Sequence, residues 1–177
     1  MNKCVICFTE HTNEWNNGPS MYCELCWPIR ESARATYNPV LGTIYLGDMK
    51  SAEQFDGMRL CVYDTAPTYQ GEYIHIPILE KRPNSSFDRT GAIVSVDRLN
   101  AACDLINEYF TTNKKLLVHC HGGIERSPLT VAWWLSAQAP YVCNINEAYT
   151  FLKLVRPAVS PRLFWLPKDH ELYQEIS

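Results

Sequence analysis

From Asn38-Pro39 onward, short apolar runs alternate with longer stretches whose apolar residues recur every three or four positions. Thr43-Ile44-Tyr45-Leu46, Leu60-Cys61-Val62-Tyr63 and Tyr73-Ile74-His75-Ile76 are compact and rich in β-branched and aromatic residues, so they read as strands. Ser51-x-x-Gln54 has the form of a capping box that opens a short helix. Val96, Leu99, Ala102, Cys103, Ile106, Tyr109 and Phe110 keep helical spacing and predict a long amphipathic helix. Lys114-Lys115 leads into the apolar strand Leu116-Leu117-Val118, then two glycines and a helix through Val131, Trp134 and Leu135. Asn144-x-x-Glu147 predicts a second capping box before a helix through Ala148, Phe151, Leu152 and Val155, and Ser160-Pro161 predicts the start of a last helix. The polar stretch from Glu80 to Gly91 reads as a loop. Strand–helix alternation of this kind predicts an α/β fold, a sheet flanked by helices.

Residues 1–38 break the pattern. They are rich in Cys, Asn, Trp and Glu, with a turn signal at Asn17-Gly18-Pro19 and little apolar material for a core. The organisation expected is a small segment over 1–38 and a main domain over 39–177. The whole chain of 177 residues is 46% hydrophobic, enough for one full-sized core plus an appendage. A net charge of −3, without long charged runs, gives no support for a nucleic-acid or membrane footprint. No apolar run fits a signal peptide or a membrane span, and a soluble, cytoplasmic protein is expected.

Eight cysteines bear on that expectation. Cys4-x2-Cys7, fifteen residues, then Cys23-x2-Cys26 is the spacing of a four-cysteine structural zinc site. Two knuckles would each present a pair of thiolates, and a segment this small needs such a staple. Two disulfides fit reducing surroundings poorly, a redox Cys-x-x-Cys would not come doubled, and iron is the minor alternative to zinc. His11 and His75 read as bystanders. The segment carries Glu10, Glu14, Glu24 and Glu31 against Lys3, Arg30 and Arg34, a balance that argues against phosphate-backbone binding and leaves a structural or protein-docking role. Trp15, Tyr22 and Trp27 read as its core.

The chemistry concentrates at His119-Cys120-His121-Gly122-Gly123-Ile124-Glu125-Arg126-Ser127. Backbone N–H groups of a tight glycine-containing loop that opens a helix lack intrahelical partners and form an anion site. Arg126 supplies a planar cation that can hold two phosphate oxygens, and Pro128 costs nothing in a first helical turn. A cysteine at the centre of such a cradle is stabilised as thiolate, which makes Cys120 a candidate nucleophile toward a bound phosphate monoester. A bare Cys-x5-Arg recurs by chance; here it comes with a preceding apolar strand, two glycines, Ser127 and Pro128.

This loop resembles the HCxxGxxRS signature of the cysteine-dependent dual-specificity protein phosphatases. The likeness extends to Ile44-Tyr45-Leu46-Gly47-Asp48 with Ser51-Ala52, to Tyr73 through Ile78, and to Ala148-x-x-Phe151 through Arg156-Pro157 and Ser160-Pro161, covering roughly residues 39–170. It implies a short, mostly parallel central sheet, preceded here by a zinc-ribbon-like segment. It also implies a two-step reaction on a phosphorylated protein through a phosphocysteine, with no catalytic metal. Carried onto this chain, Cys120 is the nucleophile, Arg126 binds phosphate and stabilises the transition state, and Ser127 assists the leaving thiolate. The backbone of His121, Gly122, Gly123, Ile124, Glu125 and Arg126 forms the cradle, and His119 orients the loop.

The reaction needs a carboxylic acid to protonate the leaving oxygen. Asp88, 32 residues before Cys120, has the spacing the resemblance implies; Glu80, directly after the Ile76-Pro77-Ile78 strand, is the alternative. Asp97 reads as a first-turn helix acid. Phosphotyrosine and phosphoserine or phosphothreonine are not separable by sequence. RNA 5′ ends and phosphoinositides are alternative substrates, set back by the Arg126-Ser127-Pro128 ending, by the lack of lysine in the loop and by Glu125. A phospho-binding pseudophosphatase is the non-enzymatic alternative, although both Cys120 and Arg126 are present.

Overall fold

The structure is a computed structural model that describes residues 2–12, 14–15, 18–19, 21–82, 91–137 and 143–167. In chain order it begins with the short strands β1 (Asn2–Lys3), β2 (Glu10–His11), β3 (Glu14–Trp15) and β4 (Gly18–Pro19), then helix α1 (Cys26–Ala33). There follow β5 (Tyr37–Leu41), β6 (Ile44–Gly47), α2 (Met49–Gln54), β7 (Met58–Cys61), β8 (Tyr73–His75), β9 (Leu79–Lys81) and β10 (Ile93–Val94). The chain continues through α3 (Val96–Thr111), β11 (Leu116–His119), α4 (Arg126–Ala137) and α5 (Ile145–Val155), with a 3-10 turn at Leu163–Trp165. The central sheet runs β5-β6-β11-β7-β8, with β6, β11, β7 and β8 parallel and β5 antiparallel at one edge. Pro39 sits in that edge strand, where a missing donor costs least.

β11 lies in the middle of the sheet, and all four of its residues are buried. A parallel strand covered on both faces needs an unbroken apolar run, which Leu116-Leu117-Val118 supplies. Leu99, Ala102, Cys103 and Ile106 of α3 enter the core beside Val131, Ala132 and Trp134 of α4 and Ala148 and Leu152 of α5. Ser95 caps α3, and Asn144 with Glu147 forms the expected box at α5.

Two expected helix starts differ. Asp48, not Ser51, is the N-cap of α2; its carboxylate accepts from Ser51 N, and Ser51 Oγ accepts from Asp48 N, so the box opens three residues earlier. Ser160-Pro161 starts no helix. Ser160 Oγ instead accepts from Arg162 and donates to Ile6 O, and the turn after it begins at Leu163. A helix the pattern did not announce, α1, opens on Cys26 and is held by that cysteine's burial.

The first thirty-odd residues pack directly on the main domain. Cys4, Val5, Ile6, Tyr22, Cys23, Cys26 and Ala33 share an apolar cluster with Ile124 and Ala158. Trp27 is partly buried against it, and the side chain of Trp15 lies outside the described residues. Among the described residues no helix is long and apolar enough to cross a membrane.

Candidate active site

β11 delivers Cys120 to the carboxyl edge of the sheet, 2% exposed. Ser127, in the first turn of α4 and fully buried, donates its hydroxyl to Cys120 Sγ at 3.2 Å. Between them the loop carbonyls are tied outward. His121 O accepts from Met49 N at 3.0 Å, Gly123 O from Arg156 Nε at 2.9 Å, and Ile124 O from Ser160 N at 2.9 Å. Gly122 O lies 3.4 Å from Arg156 Nη2. In a planar trans peptide the N–H points opposite to the C=O, so the N–H groups of Gly122, Gly123, Ile124 and Glu125 are turned away from those partners. Gly123 has φ +64°, and a Cβ there would lie 2.5 Å from Gly47 O. Only glycine fits that conformation and that approach.

Arg126 is 7% exposed and its Nη2 donates to Asp64 Oδ2 at 2.8 Å. Its guanidinium lies over the Tyr63 ring at 5.1 Å and near Trp165 at 5.7 Å. Arg126 Nε and Asp64 Oδ1 are buried without a hydrogen-bond partner. Such orphans are costly, and a ligand that accepts from Arg126 Nε would relieve one of them.

His119 is fully buried, with Nδ1 3.2 Å from Cys120 O and Nε2 2.7 Å from Tyr69 Oη. Burial, opposed in part by the bond to Cys120, pulls its pKa down to about 4, so the ring is neutral near pH 7. A carbonyl oxygen only accepts, so Nδ1 carries the proton and Nε2 accepts from Tyr69. Burial raises Tyr69, which keeps that hydroxyl protonated.

Glu125 lines the pocket, with Oε2 3.7 Å from Arg126 Nη1. Its Oε1 takes Arg162 Nη2 at 2.7 Å and Nε at 3.1 Å, so the negative charge expected beside Arg126 is balanced by a fully buried cation. Arg162 Nη2 also donates to Val5 O at 2.6 Å. Arg156, 1% exposed, reaches Ala33 O, Thr36 O and Asn38 Oδ1 besides the loop carbonyls. The N-terminal segment is thereby joined to the loop by two arginines.

Of the two candidate acids, Asp88 lies outside the described residues. Glu80 is exposed on β9 and does not line the pocket above Cys120. Sequence reasoning missed Asp64, Tyr69, Arg156 and Arg162. An acid three residues past the end of the strand Met58–Cys61 was the one available signal for Asp64. Because β7 neighbours β11 with Cys61 opposite His119, the residues following each strand share the same sheet edge.

Cys4, Cys7, Cys23 and Cys26 gather with their sulfurs all within 4.8 Å of one another, and all four are free thiols. Cys7 Sγ and Cys23 Sγ are 3.6 Å apart. A tetrahedral centre with metal–sulfur bonds of ~2.3 Å has sulfur–sulfur edges of about 3.8 Å, so the group fits a metal ion. Phe8, at φ +63°, turns the first knuckle, while Cys4 O accepts from Phe8 N and Cys23 O from Cys26 N and Trp27 N. Neither His11 nor His75 joins the group; His75 Nε2 bonds Tyr63 O at 2.7 Å.

Comparison with known proteins agrees with the fold. Residues 53–168 match the family model described as dual specificity phosphatase, catalytic domain. A curated relative, a "Probable tyrosine-protein phosphatase" of Candida albicans (strain WO-1), is 30% identical over 103 residues, 58% of this chain. That stretch is 15% of the relative's own length. Human DUSP28 superposes with a TM-score of 0.57 at 17% identity, over 73% of this chain and 86% of that one. PTPMT1, solved in complex with PI(5)P, gives 0.58 at 19% identity, over 79% and 96%.

Proposed function

The chain belongs to the dual specificity phosphatase family, and from that premise we propose that it is a protein phosphatase acting through a phosphocysteine. The observation that carries the reading is the buried pair of Cys120 and Ser127, 3.2 Å apart, at the mouth of a loop with Arg126 Nε unpaired beside it. In the first step the Cys120 thiolate attacks phosphorus, an S–P bond forms and the ester P–O bond breaks. Asp88 gives its proton to the leaving oxygen. Arg126 and the N–H groups of the loop from His121 to Arg126 hold the phosphoryl oxygens as charge develops on them. In the second step water attacks the phosphocysteine, Asp88 takes a proton back, and Ser127 donates to the departing thiolate. Neutral His119 moves no proton; it fixes the loop through Cys120 O.

The four cysteines hold zinc in a closed structural site. The readings are supported by the sulfur geometry for the metal and by the family match for the chemistry. Hydrolysis of an aryl phosphate by the full chain tests the enzyme. Turnover should vanish in Cys120→Ser and fall by roughly 100- to 10,000-fold in Asp88→Asn. A normal rate in Cys120→Ser refutes the mechanism, whereas a normal Asp88→Asn with a slow Glu80→Gln moves only the acid. Elemental analysis should find one zinc per chain, lost on replacing Cys4 and Cys26.

A further inference from the structure

The matched phosphatase domain begins at residue 53, yet one wall of the pocket above Cys120 comes from before it. The pocket is about 560 Å³, and Tyr22, Trp27 and Arg30 of the four-cysteine segment face the same space as Cys120, Ile124 and Arg126. This wall is fastened to the catalytic loop rather than laid against it. Ile124 lies in the segment's own apolar cluster, and Arg162 joins Val5 O to Glu125.

Among the charged groups of that wall, Arg30 differs. Its Nη2 is 3.9 Å from the position of a Cβ on Gly122, and its Nη1 is buried without a hydrogen-bond partner. The acids nearby are committed elsewhere. Asp48 accepts from Ala35 N at 2.8 Å and from Ser51 N at 2.8 Å, Glu125 from Arg162, and Glu31 faces Arg34 at 3.8 Å. Glu53 and Lys50 stand exposed on α2 at the rim. A guanidinium whose donor is withdrawn from water and, among the described residues, unmatched by any acid is arranged for an arriving anion.

We propose that Arg30 binds a second anionic group of the substrate, a carboxylate or phosphate next to the scissile phosphate, with Tyr22 and Trp27 packing against the flanking chain. The four-cysteine segment is then a recognition wall for an acidic phosphopeptide, a reading that rests on the phosphatase assignment. A peptide fits this wall better than a polyphosphorylated headgroup does. The surface is aromatic and apolar around the buried Arg30 donor, with Lys50 exposed at the rim, and Glu31 and Glu53 border it.

The test is fluorescence anisotropy with the full chain carrying Cys120→Ser, which removes turnover. Two phosphotyrosine peptides, identical except for Glu or Gln beside the phosphoresidue, and the soluble headgroup of a bisphosphorylated phosphoinositide are the ligands. The Glu peptide should bind on the order of tenfold tighter than the Gln peptide, as one charge-assisted contact provides. Adding Arg30→Gln should erase the difference, and Arg30→Lys should retain most of it. Equal binding of the two peptides needs no wall variant to be read and overturns the proposal, as does a preference that survives Arg30→Gln. A headgroup that displaces both peptides overturns the peptide assignment. Failure of the phosphatase reading shows separately, as no aryl phosphate turnover by the unmutated chain while the Glu preference persists.

Discussion

Arg162→Met is the sharpest test of how the N-terminal segment and the catalytic loop are held together. The arginine is fully buried, and its donors reach Glu125 Oε1, Ser160 Oγ, Pro161 O and Val5 O. Methionine fills much of the volume and supplies none of those donors. Glu125, with a side chain only 9% exposed, is left as a buried carboxylate without its main counter-charge. Breaking a buried pair from one side costs about 3–5 kcal/mol, most of it the penalty on the abandoned charge. For a chain of this size each kcal/mol lowers the thermal midpoint by about 2–4 °C, so a drop of roughly 10 °C is expected. Catalysis should suffer too, because Glu125 Oε2 already lies 3.7 Å from Arg126 Nη1 and is then free to draw that guanidinium away from phosphate. Adding Glu125→Gln removes the stranded charge and should restore about 1–3 kcal/mol relative to additivity. Calorimetry on the four proteins of this cycle, with aryl phosphate kinetics on each, is the assay. A midpoint within 2 °C of the unmutated chain would show that Arg162 does not hold the two parts together, and strict additivity would show that its pair with Glu125 contributes nothing to that hold.

Other consequences are more local. Gly123→Ala places a Cβ 2.5 Å from Gly47 O and 2.8 Å from Arg156 Nη2 at a positive φ. It should cost on the order of 1–3 kcal/mol in strain and at least about 100-fold in kcat/KM, read by melting and steady-state kinetics. Gly122→Ala, whose Cβ meets Ile124 at an ordinary 3.5 Å, should leave the melting temperature nearly unchanged. Asp64→Asn keeps the shape but weakens the hold on Arg126, and should raise KM for aryl phosphate by about tenfold; an unchanged KM removes Asp64 as a positioning residue. His119 titrates at about 4 in the folded chain against 6.5 when free. Between those values only the unfolded chain takes up its proton, so stability falls as pH drops through that window and levels off below it. The full effect is roughly 3 kcal/mol, and urea midpoints from pH 7 to pH 4 should show the slope flattened in His119→Asn.

How much of this was legible follows from how far apart the interacting residues stand. Cys120, Arg126 and Ser127 share one loop and one helix turn, so their spacing alone carries their geometry. The strand Leu116-Leu117-Val118 and the helix Val96–Thr111 show themselves through periodicity, because each buries a face that the pattern records. At α2 the same local logic slipped by one turn: Asp48 and Ser51 are both able caps, and only the backbone distinguishes them. Asp64 meets Arg126 across 62 positions, Arg156 meets Ala33 across 123, and Arg162 meets Val5 across 157. Nothing within a local window marks such pairs, since a buried arginine and a solvated one are the same letter. The N-terminal segment shows why a sum misleads where a position decides. Four acids against three bases argue against anion binding when added together. Folded, Arg34 is offset by Glu31 on the exposed side of α1, while Arg30 turns to Gly122 and is matched by no acid among the described residues. It is the placement of that one cation against the loop at Gly122, and not the net charge of the segment, on which the proposed part of the four-cysteine wall in choosing the substrate rests.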